Sequence, residues 1–317
     1  MSVTKYEPER YEKERYLARL FDCGRSLAFL SGKSSFAEVI NRLRSARFCR
    51  INICPICSWR KMLKWRSRLE AVTDKILLEY SRKGISVKFI FFTLTVKNCP
   101  ISELRDTLQL MSASWSRLME TTHFRSSSIL GVFRSLEVTR SKGGMAHPHY
   151  HCLMAVSSSY FNGSNYISQD LLCRLWQRAA RLSYKPVCDI RKCTNKSGSK
   201  NSLKDAILEV CKYMVKGSHL LEDIDWTIKL ADHLFRYRRF SSSGIFKSYL
   251  RDHEDDYIDL LKIKEEEIKE FLHDRSVRIF EWIRECQDYF QIFCFSESSE
   301  FDLQDENQVD DCNFEGV

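Results

Sequence analysis

Residues 130–156 read LGVFRSLEVTRSKGGMAHPHYHCLMAV, and this stretch decides the fold. Leu130–Thr139 and Pro148–Val156 are rich in β-branched and aromatic residues, and Ser141-Lys142-Gly143-Gly144 between them is turn chemistry. The pattern predicts a hairpin of two long strands. Upstream, Lys88–Lys97 (KFIFFTLTVK) reads as a strand and Ile101 to about Glu120 as a helix, with Ser102 placed as its cap. Downstream, Ser168–Leu182 is a predicted helix, Val187–Arg191 a short strand and Ser202–Lys216 a further helix, on which Ser202 and Asp205 are spaced as a capping box.

The order β-α-β-β-α-β followed by a helix is the ferredoxin-like split arrangement, in which the hairpin lies in an antiparallel sheet. The expected class is therefore α+β, with helices flanking that sheet. Residues 5–20 are charged and helix-prone, and 21–57 read as an irregular stretch holding Cys23, Cys49, Cys54 and Cys57. From Trp59 to about Arg82, basic and apolar residues recur at helical spacing (Met62, Leu63, Leu69, Val72, Ile76), which predicts an amphipathic helix with a cationic outer face. Residues 251–293 alternate acidic clusters with apolar positions (Ile258, Leu261, Ile268, Phe271, Phe280, Ile283, Phe290) and read as one or two helices, with 296–317 a loose end. Three regions are expected: 1–85, a Cys-rich zinc module with its basic helix; 86–250, the sheet domain; and 251–317, a helical acidic tail.

The charge follows the same division. The 317-residue chain carries a formal +8, yet residues 251–317 hold 7 Lys or Arg against 21 Asp or Glu, leaving 43 basic and 21 acidic groups in residues 1–250. A body of net +22 beside a tail of net −14 favours a polyanionic partner for the body, nucleic acid or an anionic surface. A hydrophobic content of 44% excludes a wholly disordered chain. No apolar run approaches the roughly 20 residues of a membrane span, and the charged start MSVTKYEPERYEKERY is unlike a signal peptide, so a cytoplasmic protein is expected. In that setting the 13 cysteines read as reduced thiols and metal ligands rather than disulfides.

Two constellations carry chemistry. Residues two apart on a strand share a face, so His149 and His151 present two imidazoles to one divalent ion. With the hairpin centred on Ser141–Gly144, Glu137 lies nearly opposite them, while His147 has the same parity and competes for the third position. Two imidazoles and a carboxylate with open positions suit a Lewis-acid site for Mn²⁺, Mg²⁺ or a similar ion; the plain alternative is a polar patch on an exposed strand. On the helix Ser202–Lys216, Glu209, Tyr213 and Lys216 are spaced i, i+4, i+7 along one face. A tyrosine can act as a nucleophile, a carboxylate one turn away can activate water, and Lys212 and Lys216 can stabilise a phenolate or hold phosphates. A tyrosine on such a helix is, however, usually a packing residue.

The segment Cys49-x4-Cys54-Pro55-Ile56-Cys57, with Cys23 upstream, can offer four thiolates to a structural zinc; the alternative is buried free thiols. Arg47, Arg50, Arg60, Lys61, Lys64, Arg66 and Arg68 surround it, a placement that suggests DNA binding, with Arg60 and Lys61 as candidate phosphate contacts.

The motifs FFTLTVKN (91–98), HPHYHCLM (147–154) and EVCKYMVK (209–216), in this order, resemble those of rolling-circle plasmid replication initiators of the HUH (His-hydrophobic-His) endonuclease superfamily, in the group with one catalytic Tyr and a nearby Glu. The resemblance extends through Cys23-Gly24, the Cys49–Arg60 segment, Glu137-Val138-Thr139 and the Arg238…Gly244…Phe246 stretch, and covers roughly residues 20–250. It implies that His149 and His151 ligate the metal, and that Tyr213 attacks a phosphodiester to leave a 5′-phosphotyrosyl link and a 3′-OH that primes synthesis. It also implies that Glu209 activates water for the terminating cleavage. Origin DNA, single-stranded or extruded as a hairpin, is the implied substrate. The acidic tail could repel DNA, mask the basic body or contact a partner such as a host helicase or the replication machinery; a solvated helix with no partner is an equally good reading. Three other functions share parts of the pattern: a conjugative relaxase, a single-Tyr transposase, and a DNA-binding regulator without catalysis.

Overall fold

The computed structural model describes residues 18–20, 22–33, 39–162, 166–194, 202–212, 214–215, 223–252, 273–283, 286 and 288–296. By internal contacts the chain divides into a larger unit, Met1–Leu20 with Cys49–Tyr257, and a smaller one, Phe21–Phe48 with Ile258–Val317.

The larger unit contains helix α1 (Pro55–Arg82), strand β3 (Val87–Thr95), helix α2 (Leu104–Met119), strands β4 (Ile129–Arg140) and β5 (Ala146–Ser157), helix α3 (Gln169–Ala179), strand β6 (Cys188–Lys192), helices α4 (Leu203–Cys211) and α5 (Ile224–His233), strand β7 (Phe240–Ser242) and helix α6 (Ile245–Asp252). Its sheet is antiparallel in the order β6-β3-β5-β4-β7, so β3-α2-β4-β5-α3-β6 follow one another as the sequence predicts. Alternation along β5 divides the sheet into two faces. Tyr150 meets Trp115 of α2 and Trp176 of α3, and the Trp176 indole donates to the Thr95 carbonyl at 2.8 Å. On the opposite face, Phe89, Phe91, Phe133, Leu153 and Ala155 pack with Leu69, Val72 and Ile76 of α1 and Ala206, Ile207 and Val210 of α4.

Capping follows the sequence at Ser202 and departs from it at Ser102. Ser202 Oγ accepts from the Asp205 amide at 3.1 Å and donates to the Asp205 carboxylate at 2.6 Å, and Ser168 accepts from Leu171 at the start of α3. Ser102 does not cap α2: it lies in a 3₁₀ turn, Ile101–Glu103, that leads into the helix. Gly131 and Gly244 permit a close chain crossing. A Cβ on Gly244, whose φ is +55°, would sit 2.1 Å from the Leu130 carbonyl, and one on Gly131 would sit 2.5 Å from that of Ser243.

The smaller unit corrects two expectations. The irregular stretch 21–57 contains strands β1 (Ser26–Lys33) and β2 (Val39–Ala46), and the predicted helical tail contains β8 (His273–Ile283) and β9 (Asp288–Ser296). They form an antiparallel sheet, β2-β1-β8-β9. The acidic clusters and the Phe280, Ile283 spacing suggested a helix, but Val277 and Ile279 alternate with Arg278 and Phe280 along the strand. Val277 packs with Leu30, and Phe280 meets Phe29 edge-on at 5.7 Å. The partner that stabilises β8 is some 250 residues away in sequence and cannot be read locally. Residues 253–272 and 297–317 of the expected helix and loose end lie outside the described residues.

Candidate functional site

The β4–β5 register sets Glu137 directly opposite His149, Ser135 opposite His151 and Thr139 opposite His147. On the other side of β5, Thr93 and Thr95 pair with His151 and His149, so the first motif forms the adjoining rung of the same face. Glu137 Oε2 lies 3.0 Å from His149 Nε2 and 2.7 Å from His151 Nε2. Of the two candidates for the third position, Glu137 is the one brought to the pair: one ligand atom from each of Glu137, His149 and His151 lies within 4.8 Å of the others. His147 contributes its carbonyl instead, which accepts from His149 Nδ1 at 3.1 Å.

That contact identifies the chemistry. A carbonyl only accepts, so Nδ1 of neutral His149 holds the proton and Nε2 presents a lone pair to the carboxylate. Two anionic or lone-pair donors at 3.0 Å repel unless a cation, proton or metal, lies between them. Burial alone would raise the Glu137 carboxyl, but when the imidazoles are protonated on Nε2 the hydrogen bonds and charge of His149 and His151 outweigh it and hold it well below the usual carboxylate range. The group is buried, with Glu137 and His151 each 6% exposed. His151 Nδ1 has no hydrogen-bond partner among the described residues, and its ring stacks on Phe91 at 5.8 Å. Two imidazole nitrogens and a carboxylate oxygen are donors that fit a divalent ion.

The helix reading needs correction. Helix α4 ends at Cys211, with Lys212 extended (φ −45°, ψ 163°), so residues 209–216 are not one helical face. Two long-range contacts terminate it. The buried Arg239 guanidinium donates to the Cys211 carbonyl at 3.1 Å, and the Val138 amide donates to the Met214 carbonyl at 2.7 Å. Glu209 pairs with Lys212 at 2.5 Å. Tyr213 and Lys216 lie outside the described residues. Arg239 was not singled out by residue chemistry; its only signal was a place in the Arg238…Phe246 stretch.

The sulfurs of Cys49, Cys54 and Cys57 also lie within 4.8 Å of one another, thiols that could contribute to a metal site; Cys23 belongs to the smaller unit. Cys49 Sγ is 3.6 Å from Cys57 Sγ, and the Arg50 and Ile51 amides point at Cys57 Sγ (3.2 Å) and Cys49 Sγ (3.5 Å). Backbone donors aimed at sulfur favour thiolates and so suit zinc. Cys54 occupies the N-cap position of α1 without a side-chain capping bond, and Pro55 starts the helix, which fixes Cys57 in the first turn.

The basic residues of α1 do not form one solvated face. Arg68 is buried and donates to the Leu250 carbonyl, whereas Lys64 is exposed. Lys61 is half-buried and donates to Asn52 Oδ1 at 3.2 Å; burial first, then the nearby Arg239, lowers it to about 8. Arg60 is half-buried and Lys212 exposed. Among the described residues no helix is long and apolar enough to cross a membrane.

Comparison with known proteins gives the family. Residues 40–290 match the model of a family described as Replication protein. A protein named Protein rep from Streptococcus pneumoniae serotype 2 is 35% identical over 239 residues, which cover 74% of this chain and 71% of the relative. Protein rep of Lentilactobacillus hilgardii is 31% identical over 283 residues (86% of each chain), and that of Bacillus amyloliquefaciens 32% over 273 residues (78% and 77%). No solved structure matches.

Proposed function

The chain belongs to the replication-protein family, and from that premise we propose that it starts rolling-circle replication of a plasmid by cutting and rejoining one DNA strand at the origin. The observation that carries this reading is the single carboxylate oxygen of Glu137 between the Nε2 atoms of His149 and His151. This group stands on the sheet face that carries α4. Glu137, His149 and His151 would hold a divalent ion, Mn²⁺ or Mg²⁺, and such an ion would supply Lewis-acid stabilisation of the charge that develops on a scissile phosphate. His147 fixes the orientation of His149 through its carbonyl.

Tyr213 is the nucleophile in this reading. Its phenolate oxygen bonds to phosphorus, the P–O3′ bond breaks, and the departing oxygen takes up a proton to become the 3′-OH that primes synthesis. Arg239 and the Val138–Met214 hydrogen bond hold the two stretches that flank Tyr213. Glu209 accepts a proton from water at termination, so the second cleavage ends in hydrolysis and releases the enzyme. Cys23, Cys49, Cys54 and Cys57 hold a structural zinc, and Arg60, Lys61, Lys212 and Lys216 supply positive charge toward DNA.

The test is incubation with Mn²⁺ and labelled single-stranded oligonucleotides from the protein's own replicon. A covalent protein–DNA adduct on the origin sequence is expected; its absence leaves a DNA-binding regulator without catalysis as the better account.

A further inference from the structure

Beside β7 lies a cleft of about 200 Å³ lined by Lys61 and Trp65 of α1, Phe133 of β4, and Tyr237 through Ser242. It is smaller than the about 300–1,000 Å³ of pockets that enclose drug-sized ligands, so it suits a fragment the size of one base. Its floor is aromatic. Trp65 lies against Phe240 at 4.7 Å and Phe133 at 5.4 Å, while Tyr237, also in the lining, turns its hydroxyl to within 3.5 Å of that of Tyr150. Its lining is cationic: Lys61 stands 6.0 Å from the Phe240 ring, the buried Arg239 guanidinium 4.6 Å from it, and Arg238 is exposed. Among the described residues none of these three cations is paired with a carboxylate. Arg239 Nε is buried without a hydrogen-bond partner among the described residues, an unmet donor that a ligand oxygen would satisfy. Asn52 stiffens the wall by accepting from Lys61 at 3.2 Å and donating to the Tyr237 carbonyl at 3.2 Å.

The position relates the cleft to the histidines. Ser135 pairs with His151 on one side and Phe240 on the other, so the Phe240 backbone is two strand spacings, about 10 Å, from that of His151. We propose that this cleft is a nucleotide subsite for the DNA strand: one unstacked base lies against Trp65, and its phosphate rests on Lys61 and Arg238. Aromatic rings bind unpaired bases with little sequence preference, and adjacent cations follow the backbone. The subsite rests on the strand-cutting reading for its role, although its binding is measured separately.

The experiment follows tryptophan fluorescence of the full chain during titration with an oligonucleotide of twelve thymidines, with free dTMP as a second probe, and anisotropy of the labelled oligonucleotide in parallel. The oligonucleotide should quench the wild type, and Trp65→Phe, which keeps a ring for packing, should abolish the larger part of that quench. Arg238→Ala, an exposed position, should weaken oligonucleotide binding about tenfold. An identical quench in Trp65→Phe, unchanged affinity in Arg238→Ala, or a quench with dTMP and none with the oligonucleotide would each overturn the subsite. Adduct formation by the wild type on origin DNA is scored separately: quenching without an adduct supports the subsite and removes the cutting reading, whereas an adduct without quenching does the reverse.

Discussion

Val138 donates its backbone N–H to the carbonyl of Met214 at 2.7 Å. This bond ties the chain just beyond α4 to the residue next to Glu137. If the intervening Tyr213 is the nucleophile, Tyr213→Phe should abolish the covalent DNA adduct while changing Mn²⁺ affinity less than twofold. A denaturing gel and a metal titration read the two effects, and an adduct that persists in Tyr213→Phe excludes this assignment.

Glu137 lies between two imidazoles and its carboxylate is the only anionic member of that group. Glu137→Ala should therefore weaken Mn²⁺ binding at least tenfold and abolish adduct formation, with the fold intact by circular dichroism. Equal Mn²⁺ affinity in the variant and the wild type would show that the metal, if any, binds elsewhere.

Glu209 is half-buried and paired with Lys212. Glu209→Ala should leave the first nick within a fewfold of wild type and slow the terminating hydrolysis by about a hundredfold, the scale of general-base assistance. Measured on a substrate with one origin and one termination site, an equal loss in both steps would refute the division of labour.

The thiol group predicts a metal content. Wild-type protein should carry about one equivalent of zinc, and Cys54→Ser should lose it together with several degrees of Tm. Unchanged zinc by elemental analysis is incompatible with the site.

Lys61 titrates at about 8 in the folded chain, against an ordinary value of 10.5. Between these values the unfolded chain binds more protons, so stability rises with pH there. The cost of charging Lys61 is fully present below about pH 8 and is lost as the pH climbs toward 10.5. The difference in Tm between wild type and Lys61→Met should accordingly shift in favour of the wild type from pH 7 to pH 10; a constant difference would contradict a desolvated Lys61.

The Glu137, His149 and His151 group is legible in the sequence because its determinants are local. The five residues Ser141–Met145 between the paired Arg140 and Ala146 set the hairpin register, and strand alternation then puts His149, His151 and Glu137 on one face. The Cys-Pro-x-Cys knuckle is local for the same reason: Pro55 starts the helix that carries Cys57. Helix α4 was misjudged at its end, because residues 209–216 have good helical spacing and no Gly or Pro. The competing partners that stop it, Arg239 and Val138, come from elsewhere in the chain.

From its order of residues alone, then, the chain specified the β-α-β-β-α-β core, the paired histidines with their carboxylate and the Cys49, Cys54 and Cys57 group, all consequences of short-range periodicity and turn chemistry. Tertiary structure decided where α4 stops, which basic side chains are buried, that His147 serves through its carbonyl, and that β8 joins β1 in a second sheet. Each of these outcomes depends on which distant group satisfies a backbone carbonyl or covers an apolar strand, and such partners are chosen only when the chain has folded.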